Sequence, residues 1–424
     1  MFLLYNLAVA LTAPIWLPYA WLRARRRKEA VRWGERMGRY KVMPGPDRIW
    51  VHAVSVGEVH ASVPLLRELR ARLPTYEILL STTTSSGQQV ARDGAKGLYD
   101  HLVYFPMDVA NFCLNAMIHV RPQAVVIMET ELWLNFLWAA KVVGARTFVV
   151  NGRVSDRSFP RAMRLRWFYR RLLGYVDRCL MQSETDRERI AALGAPSERV
   201  AALGNTKFDQ AVAGEVGGEE ARLEFGVPQG TPCVVAGSTR SLEEERLVLQ
   251  AIHRAREALP GLFFILAPRH IERAEDVAAA IAAAGLRCKR RSCPDAEQPG
   301  QADCLLLDTF GELARAYAAG DVAVVGGGFG GFGGQNIFQP LALGKPTLFG
   351  PSMQNFRDIA ELAVREGVGF QVETAEELGS ELTRLLRGPA ARAEIASKAQ
   401  RLVRANQGAS ARIAEEVVSA LAGR

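Results

Sequence analysis

Carboxylates and cations stand where short apolar runs of this chain stop, and those are the places where it could do chemistry. One run ends in Ser55-Val56-Gly57-Glu58 and a later one in Glu129-Thr130-Glu131-Leu132-Trp133. A carboxylate at the edge of a partly dry cleft has its pKa raised by burial and can serve as a general base. Each acid also has a plain structural reading. Glu58 suits the first turn of a helix, where the dipole stabilises it, and Glu129 or Glu131 suits an ion pair. Cations and hydrogen-bond donors follow other runs: Lys207, Ala236-Gly237-Ser238-Thr239, Pro268-Arg269-His270 and Asp308-Thr309-Phe310-Gly311-Glu312. The last three read as strand-to-helix turns able to face a phosphate or a base. His270 by itself reads as a packed or hydrogen-bonded residue.

The stretch 325–340, Val-Gly-Gly-Gly-Phe-Gly-Gly-Phe-Gly-Gly-Gln-Asn-Ile-Phe-Gln-Pro, reads as a buried strand whose loop opens a helix. Unpartnered N–H groups and the macrodipole at such a helix start attract an anion, and glycines let the backbone come close. Close strand–helix packing accounts for the same glycines. The chain contains no D-x-D and no H-E-x-x-H. A metal-bound nucleotide sugar is therefore not supported, and the charge of a leaving phosphate falls to Lys207, Arg269 and helix N-termini.

Positioning these groups takes an alternation of strands and helices. Apolar runs at 49–54, 77–81, 102–105, 124–128, 146–150, 178–181 and 199–203 read as strands, with amphipathic segments such as 59–73 and 132–142 between them. Continuous apolar strands separated by helices predict parallel sheets covered on both faces. Residues 210–220 read as a linker. Strands resume at 233–236, 263–267, 304–307, 322–325 and 347–349, with a last short one at 368–372 and helix to the end as a solvated packing layer. The expectation is two similar halves, each Rossmann-like, with ligands at the carboxyl ends of the strands in a cleft between them. A length of 424 residues agrees with two domains.

Charge is concentrated rather than spread. Nine basic and two acidic residues between Arg23 and Lys41 supply +7 of the net +8. Ahead of them, residues 1–22 carry no charge and include Trp16, Tyr19 and Trp21. This pattern predicts a membrane anchor with its cationic flank on the cytoplasmic side. Pro14 and Pro18 would kink a spanning helix, so a segment lying in the interface is an alternative. A cleaved signal peptide fits less well, because no positive region precedes the apolar part. The predicted organisation is thus an anchor at 1–22, a first domain at 23–209, a linker at about 210–220 and a second domain at 221–424. Six cysteines without metal-ligand spacing indicate a reducing compartment. The basic cluster beside the anchor shows no nucleic-acid motif.

Taken in order, these motifs resemble the membrane-anchored 3-deoxy-D-manno-octulosonic acid (Kdo) transferases. The matching pieces are the anchor with Glu35-Arg36-Met37-Gly38, then Ser55 to Glu58, Glu129 to Trp133, Gly204-Asn205-Thr206-Lys207-Phe208-Asp209, Ala236 to Thr239, Pro268 to His270, Asp308 to Leu313, and Gly333 to Asn336. The resemblance implies a GT-B glycosyltransferase fold: α/β, two Rossmann-like domains facing a cleft. It implies inverting, metal-independent transfer of Kdo from CMP-Kdo, a co-substrate, to a lipid A precursor (lipid IVA), with no cofactor. It places the protein at the inner membrane with its catalytic domains facing the cytoplasm, in contact with phospholipid and with no nucleic acid. By position, Glu58 would be the base, and Glu129 and Lys207 would stabilise the charge-separated transition state. CMP contacts would come from Pro268 and Arg269, from Phe310, Gly311 and Glu312, and from Asn336, Ile337, Phe338 and Gln339. The family commonly has His and Glu where this chain has Gln335 and Gln339. Alternatives are a paralogue using another nucleotide sugar and a membrane-bound protein that binds without catalysis.

Overall fold

The structure, a computed structural model, describes residues 2–26, 32–42, 47–129, 131–156, 158–210, 217–293 and 302–423. It divides into two compact units, Met1–Gln210 with Asn406–Arg424, and Ala211–Ala405. The first unit holds seven parallel strands: β1 (Arg48–His52), β2 (Glu77–Thr82), β3 (His101–Tyr104), β4 (Ala124–Met128), β5 (Arg146–Gly152), β6 (Arg178–Met181) and β7 (Val200–Ala202). Their order is β3-β2-β1-β4-β5-β6-β7. Alternate residues feed two cores. Trp50, Leu79, Val125 and Ile127 pack on one face, and Ile49, Val51, Ile78, Leu80 and Val126 on the other. Full burial of such side chains contributes roughly 1.5–3 kcal/mol each, which is why the strands read as unbroken apolar runs.

In the second unit the strands are β8 (Cys233–Thr239), β9 (Phe263–Pro268), β10 (Cys288–Arg290), β11 (Cys304–Leu306), β12 (Val322–Val325), β13 (Thr347–Phe349) and β14 (Gly369–Gln371). The order is β10-β11-β9-β8-β12-β13-β14, again all parallel. In each sheet the strand order reverses beside the unit's first strand, at β1/β4 and at β8/β12. Such reversal points leave a crevice beyond the carboxyl ends of the strands. The edge strand β10 was not expected. Its Cys288-Lys289-Arg290 sequence is too short and too polar to signal a strand.

Two expectations about the ends of the chain are corrected. The terminal helix Ala409–Ala422 belongs to the first unit rather than the second. Its Ile413, Ala414, Val417 and Leu421 join the core of Ile49 and Val51. Asp209 accepts hydrogen bonds from the N–H groups of Gly408 and Ser410, both 2.6 Å, which satisfies the start of this helix. At the other end, Phe2–Arg26 is one helix containing both prolines. Among the described residues no helix is long and apolar enough to cross a membrane, so a spanning anchor is not supported. Asn6 and Thr12 dilute the apolar run. The first turns pack on the unit instead: the Phe2 ring lies 4.7 Å from that of Trp138, and the Tyr5 hydroxyl donates to Asp108 Oδ2 at 2.8 Å.

Candidate active site

Ser55, in extended conformation, is the N-cap of helix Val56–Arg72, which puts Glu58 in the helix's first turn at the end of β1. Glu58 is 7% exposed. Its Oε2 accepts the Val54 N–H at 2.9 Å and its Oε1 accepts the Ser55 hydroxyl at 3.2 Å. Burial pushes its pKa up to about 7; the Val54 bond opposes the rise, and the carboxylates of Glu129 and Glu131 add to it. Burial likewise raises Glu131. Glu58 thus stands in the first turn of a helix, as its structural reading expects, with burial raising its pKa in the direction a general base needs.

Glu129 follows β4 in a left-handed conformation, φ 55°, with its N–H donating to Val150 O at 2.9 Å. Its carboxylate lies 3.5 Å from Lys207 Nζ. Lys207 sits in the short turn Thr206–Gln210 and is placed by a chain of amides. Lys207 N–H donates to Asn205 Oδ1, Asn205 Nδ2 to Gln182 Oε1, Gln182 Nε2 to Asn151 O, and Thr206 N–H to Asn151 Oδ1, at 2.9–3.1 Å. Asn151 is itself left-handed, φ 53°, at a register shift in β5. Non-glycine residues hold such a conformation only where surrounding bonds impose it, and they concentrate at functional sites. Asn151 did not stand out in the sequence; its one signal was an Asn-Gly pair straight after an apolar run. The structure thus brings Glu58, Glu129 and Lys207 together at the β1/β4 reversal.

The second unit repeats the construction with different chemistry. Strand β8 ends in a register shift at Ser238, φ 61°. Ser241 then caps helix Leu242–Ala258. Glu244 is 1% exposed. Its Oε2 accepts the Arg240 N–H at 2.7 Å, and its Oε1 accepts the N–H groups of Gly327 at 2.6 Å and Phe329 at 3.2 Å. The glycine-rich loop therefore begins on a carboxylate of the chain itself, a correction to its reading as an open anion site. Packing explains two of its glycines. A Cβ on Gly326 would come within 2.6 Å of Thr239 Cα, and one on Gly328 within 2.9 Å of Gly350 N. The following helix, Phe338–Ala342, is short and starts well after the glycines.

Pro268 is buried at the end of β9, and the exposed Arg269 donates its N–H to Thr239 O at 2.8 Å. Among the described residues the Arg269 guanidinium forms no ion pair. His270 pairs with Glu272 at 3.2 Å. In the loop after the adjacent β11, Phe310 is 77% exposed and Gly311 is left-handed at φ 86°. Glu312 is held by Arg291 at 2.7 Å and by the Thr309 hydroxyl, and the Arg291 guanidinium beside it lowers its pKa. Asp308 accepts from Ser292 Oγ at 2.6 Å and from Arg290 at 2.9 Å. Arg290 ends the unforeseen β10 and Arg291 follows it. Asn336 Oδ1 accepts the Phe338 N–H at 2.9 Å. Ile337 and Phe338 are fully buried, so only their backbone could meet a ligand, while Gln339 is half-buried. Pro268, Arg269 and residues 310–312 therefore end neighbouring strands, and residues 336–339 follow β12 on the other side of β8. An exposed aromatic ring, an unpaired guanidinium and a carboxylate suit a base, a phosphate and hydroxyls respectively. Among the described residues no group of three or more His, Cys, Asp or Glu is placed to hold a metal ion. A groove of about 1030 Å³ between helices Leu242–Ala258 and Ala274–Ala283 includes none of these residues.

Residues 31–210 match the family described as 3-deoxy-D-manno-octulosonic-acid transferase (kdotransferase). The chain is 34% identical over 430 residues to the 3-deoxy-D-manno-octulosonic acid transferase of Bordetella pertussis, covering 96% of each. Among solved structures, UDP-GlcNAc 2-epimerase from Neisseria meningitidis is similar at TM-score 0.58 and 15% identity, over 88% of this chain and all of that one. A glycosyltransferase from Rickettsia africae is similar at 0.55 and 13%, over 89% and 99%. These two share the fold of paired parallel sheets. The long match at 34% identity settles the family: the chain belongs to the 3-deoxy-D-manno-octulosonic acid transferases and is a glycosyltransferase.

Proposed function

We propose that the protein transfers Kdo from CMP-Kdo to a hydroxyl of a lipid A precursor, with inversion and without a metal or cofactor. The observation that carries this reading is Glu58, a buried carboxylate with its pKa pushed up to about 7 beside the Glu129–Lys207 pair. Glu58 takes the proton of the acceptor hydroxyl as its oxygen bonds to the anomeric carbon of Kdo. The bond from that carbon to the CMP phosphate breaks, and CMP leaves with the electron pair. Lys207 and Glu129 balance the charges that develop. In the second unit, Arg269 meets the phosphate, Phe310 stacks on the base, and Glu312 with residues 336–339 meets the ribose. The names of the relatives support Kdo as the transferred sugar.

Attachment to the inner membrane from the cytoplasmic side is proposed in its interfacial form. The Phe2–Arg26 helix exposes Leu3, Leu4, Leu7 and Leu11. The Tyr5 ring lies 6.2 Å from that of Phe168, in helix Arg166–Leu173, which exposes Trp167 together with Arg166, Arg170 and Arg171. Exposed leucines, a tryptophan and arginines on two helices in contact suit the boundary of an anionic bilayer.

The test is CMP release by purified protein given CMP-Kdo and lipid A precursor in detergent. Release that depends on both substrates is the expected result. The absence of release with CMP-Kdo, alongside release from a different nucleotide sugar, would overturn the donor assignment in favour of a paralogue, the reading that Gln335 and Gln339 favour.

A further inference from the structure

We propose that Glu244 is a positioning residue for donor binding: a built-in anion around which the glycine-rich loop folds, so that the loop's remaining amides and Arg240 face the donor phosphate. The phosphate part rests on the function proposed above. Three backbone N–H groups from two separate segments converge on this one buried carboxylate. Arg240 contributes one of them. Gly327 and Phe329, which follow β12, contribute the others. Glu244 thus ties the start of the β8 helix to the loop of the next strand, across the point where the strand order reverses.

Its two neighbours show that this arrangement is not generic helix capping. Glu245 is equally buried but is spent on the Arg273 guanidinium, at 3.1 and 2.7 Å, and on the Thr239 hydroxyl. Glu243 also lies in the first turn and has no such partner among the described residues. With Gly327 and Phe329 anchored, the tip of the loop is displayed outward. Gly330, Gly331 and Phe332 are exposed. Among the described residues their N–H groups make no hydrogen bond. The Arg240 guanidinium lies over the Phe332 ring, 5.3 Å from its centroid, which places a cation beside those amides. Successive N–H groups in a glycine-rich turn form a concavity for an anion. The loop has two such sets, and the protein fills the inner one with Glu244.

The experiment compares wild type, Glu244→Gln and Glu244→Ala by CMP titration, thermal unfolding and amide hydrogen exchange of residues 326–334, with and without added sodium formate. The alanine variant is expected to bind CMP at least tenfold more weakly and to exchange the Gly327 and Phe329 amides at least a hundredfold faster. Formate, a carboxylate small enough for the vacated place, should restore both in part. Glutamine keeps one neutral acceptor and should weaken CMP binding about fivefold. It is also the variant to rely on if the alanine protein does not fold. With saturating CMP-Kdo, turnover should stay near wild type, so that the loss lies in KM. A lowered melting temperature with CMP affinity and exchange unchanged would make Glu244 purely structural and overturn the proposal. Wild-type protein that binds no CMP would instead sink the donor reading, and the exchange comparison, which needs no ligand, would still decide whether Glu244 holds the loop.

Discussion

Glu58 and Glu244 occupy the same place in the two units, and the difference between them lies entirely in what the neighbouring strand brings. Each stands in the first turn of the helix after the unit's first strand, three residues beyond a serine N-cap, and reaches back to the N–H of the residue before that serine. Beside Glu58, strand β4 is followed by Glu129 and Glu131. Their negative charge adds to burial and makes the Glu58 proton hard to remove below neutral pH. Beside Glu244, strand β12 runs into a glycine-rich loop whose Gly327 and Phe329 N–H groups bind the carboxylate. One helix start thus yields the proposed base in one unit and the proposed fastener of a loop in the other. The lesson is that a capping glutamate is defined by the strand next door as much as by its own helix.

The largest effect is expected from Glu58→Gln, which keeps shape and an acceptor for the Val54 N–H but removes the base. Turnover should fall by roughly 10²–10⁴ with CMP affinity little changed. In the wild type, the acid limb of kcat/KM should have its midpoint near the Glu58 pKa of about 7, with activity lost below it as the carboxylate becomes protonated. Near-normal turnover in the variant, or an acid limb two units lower, breaks the contrast with Glu244. A smaller effect is expected from Lys207→Met, which removes the cation 3.5 Å from Glu129. Turnover should fall by about 10² through lost charge stabilisation. The acid limb should also move to higher pH, because the repulsion Glu58 feels from Glu129 is no longer offset. A fall in turnover with an unmoved limb would mean that Lys207 acts on the reaction without touching the electrostatics of the base.

Most of the two sheets was legible because buried parallel strands are written as apolar runs. The exceptions share a cause. Strand β10 has no apolar run, since its three residues at the sheet edge are half-buried or exposed. The helix Ala409–Ala422 reads as amphipathic wherever it packs, and its partner surface, on Ile49 and Val51, lies at the far end of the sequence. The three catalytic candidates were legible as acids and a lysine at strand ends. The glycine-rich run was misread in part, because glycines look alike whether their amides await a ligand or meet a side chain 83 residues earlier. The spacing Ser241-Leu242-Glu243-Glu244 is a helix-start signature that could have flagged that side chain.

Stability offers a subtler separation of the two glutamates. Because folding raises the Glu58 pKa from 4.5 to about 7, the folded state holds that proton more tightly than the unfolded chain does. The resulting penalty is absent below pH 4.5, grows between 4.5 and 7, and is complete above 7. Glu58→Gln should therefore melt about 2–6 °C higher than wild type above pH 7, with the advantage fading toward pH 4.5. Glu244→Gln takes the charge out of all three N–H bonds and should melt lower than wild type at pH 7. Equal signs for the two variants at pH 7 would erase the distinction between base and fastener.

The smallest expected effect concerns Gln339, on the donor side of the comparison, where a carboxylate would have something to bind. The side chain is half-buried and follows the buried pair Ile337 and Phe338, whose packing fixes its backbone. A carboxylate there accepts charge-assisted hydrogen bonds from ribose hydroxyls, whereas an amide offers one neutral acceptor and an NH₂ that needs an acceptor of its own. That difference is on the order of 1 kcal/mol, so Gln339→Glu should tighten CMP binding about fivefold. Gln335, whose side chain lies against Gly327, bears on the outcome because it belongs to the loop that Glu244 holds. If the two glutamines work as a pair, the single change leaves a half-buried carboxylate poorly partnered and weakens binding, and only the Gln335→His, Gln339→Glu double variant gains affinity. Titrating CMP into the wild type and both variants separates these outcomes. Equal affinity in all three means that Gln339 does not touch the nucleotide. A gain confined to the double variant ties the ribose contact to the loop that Glu244 anchors.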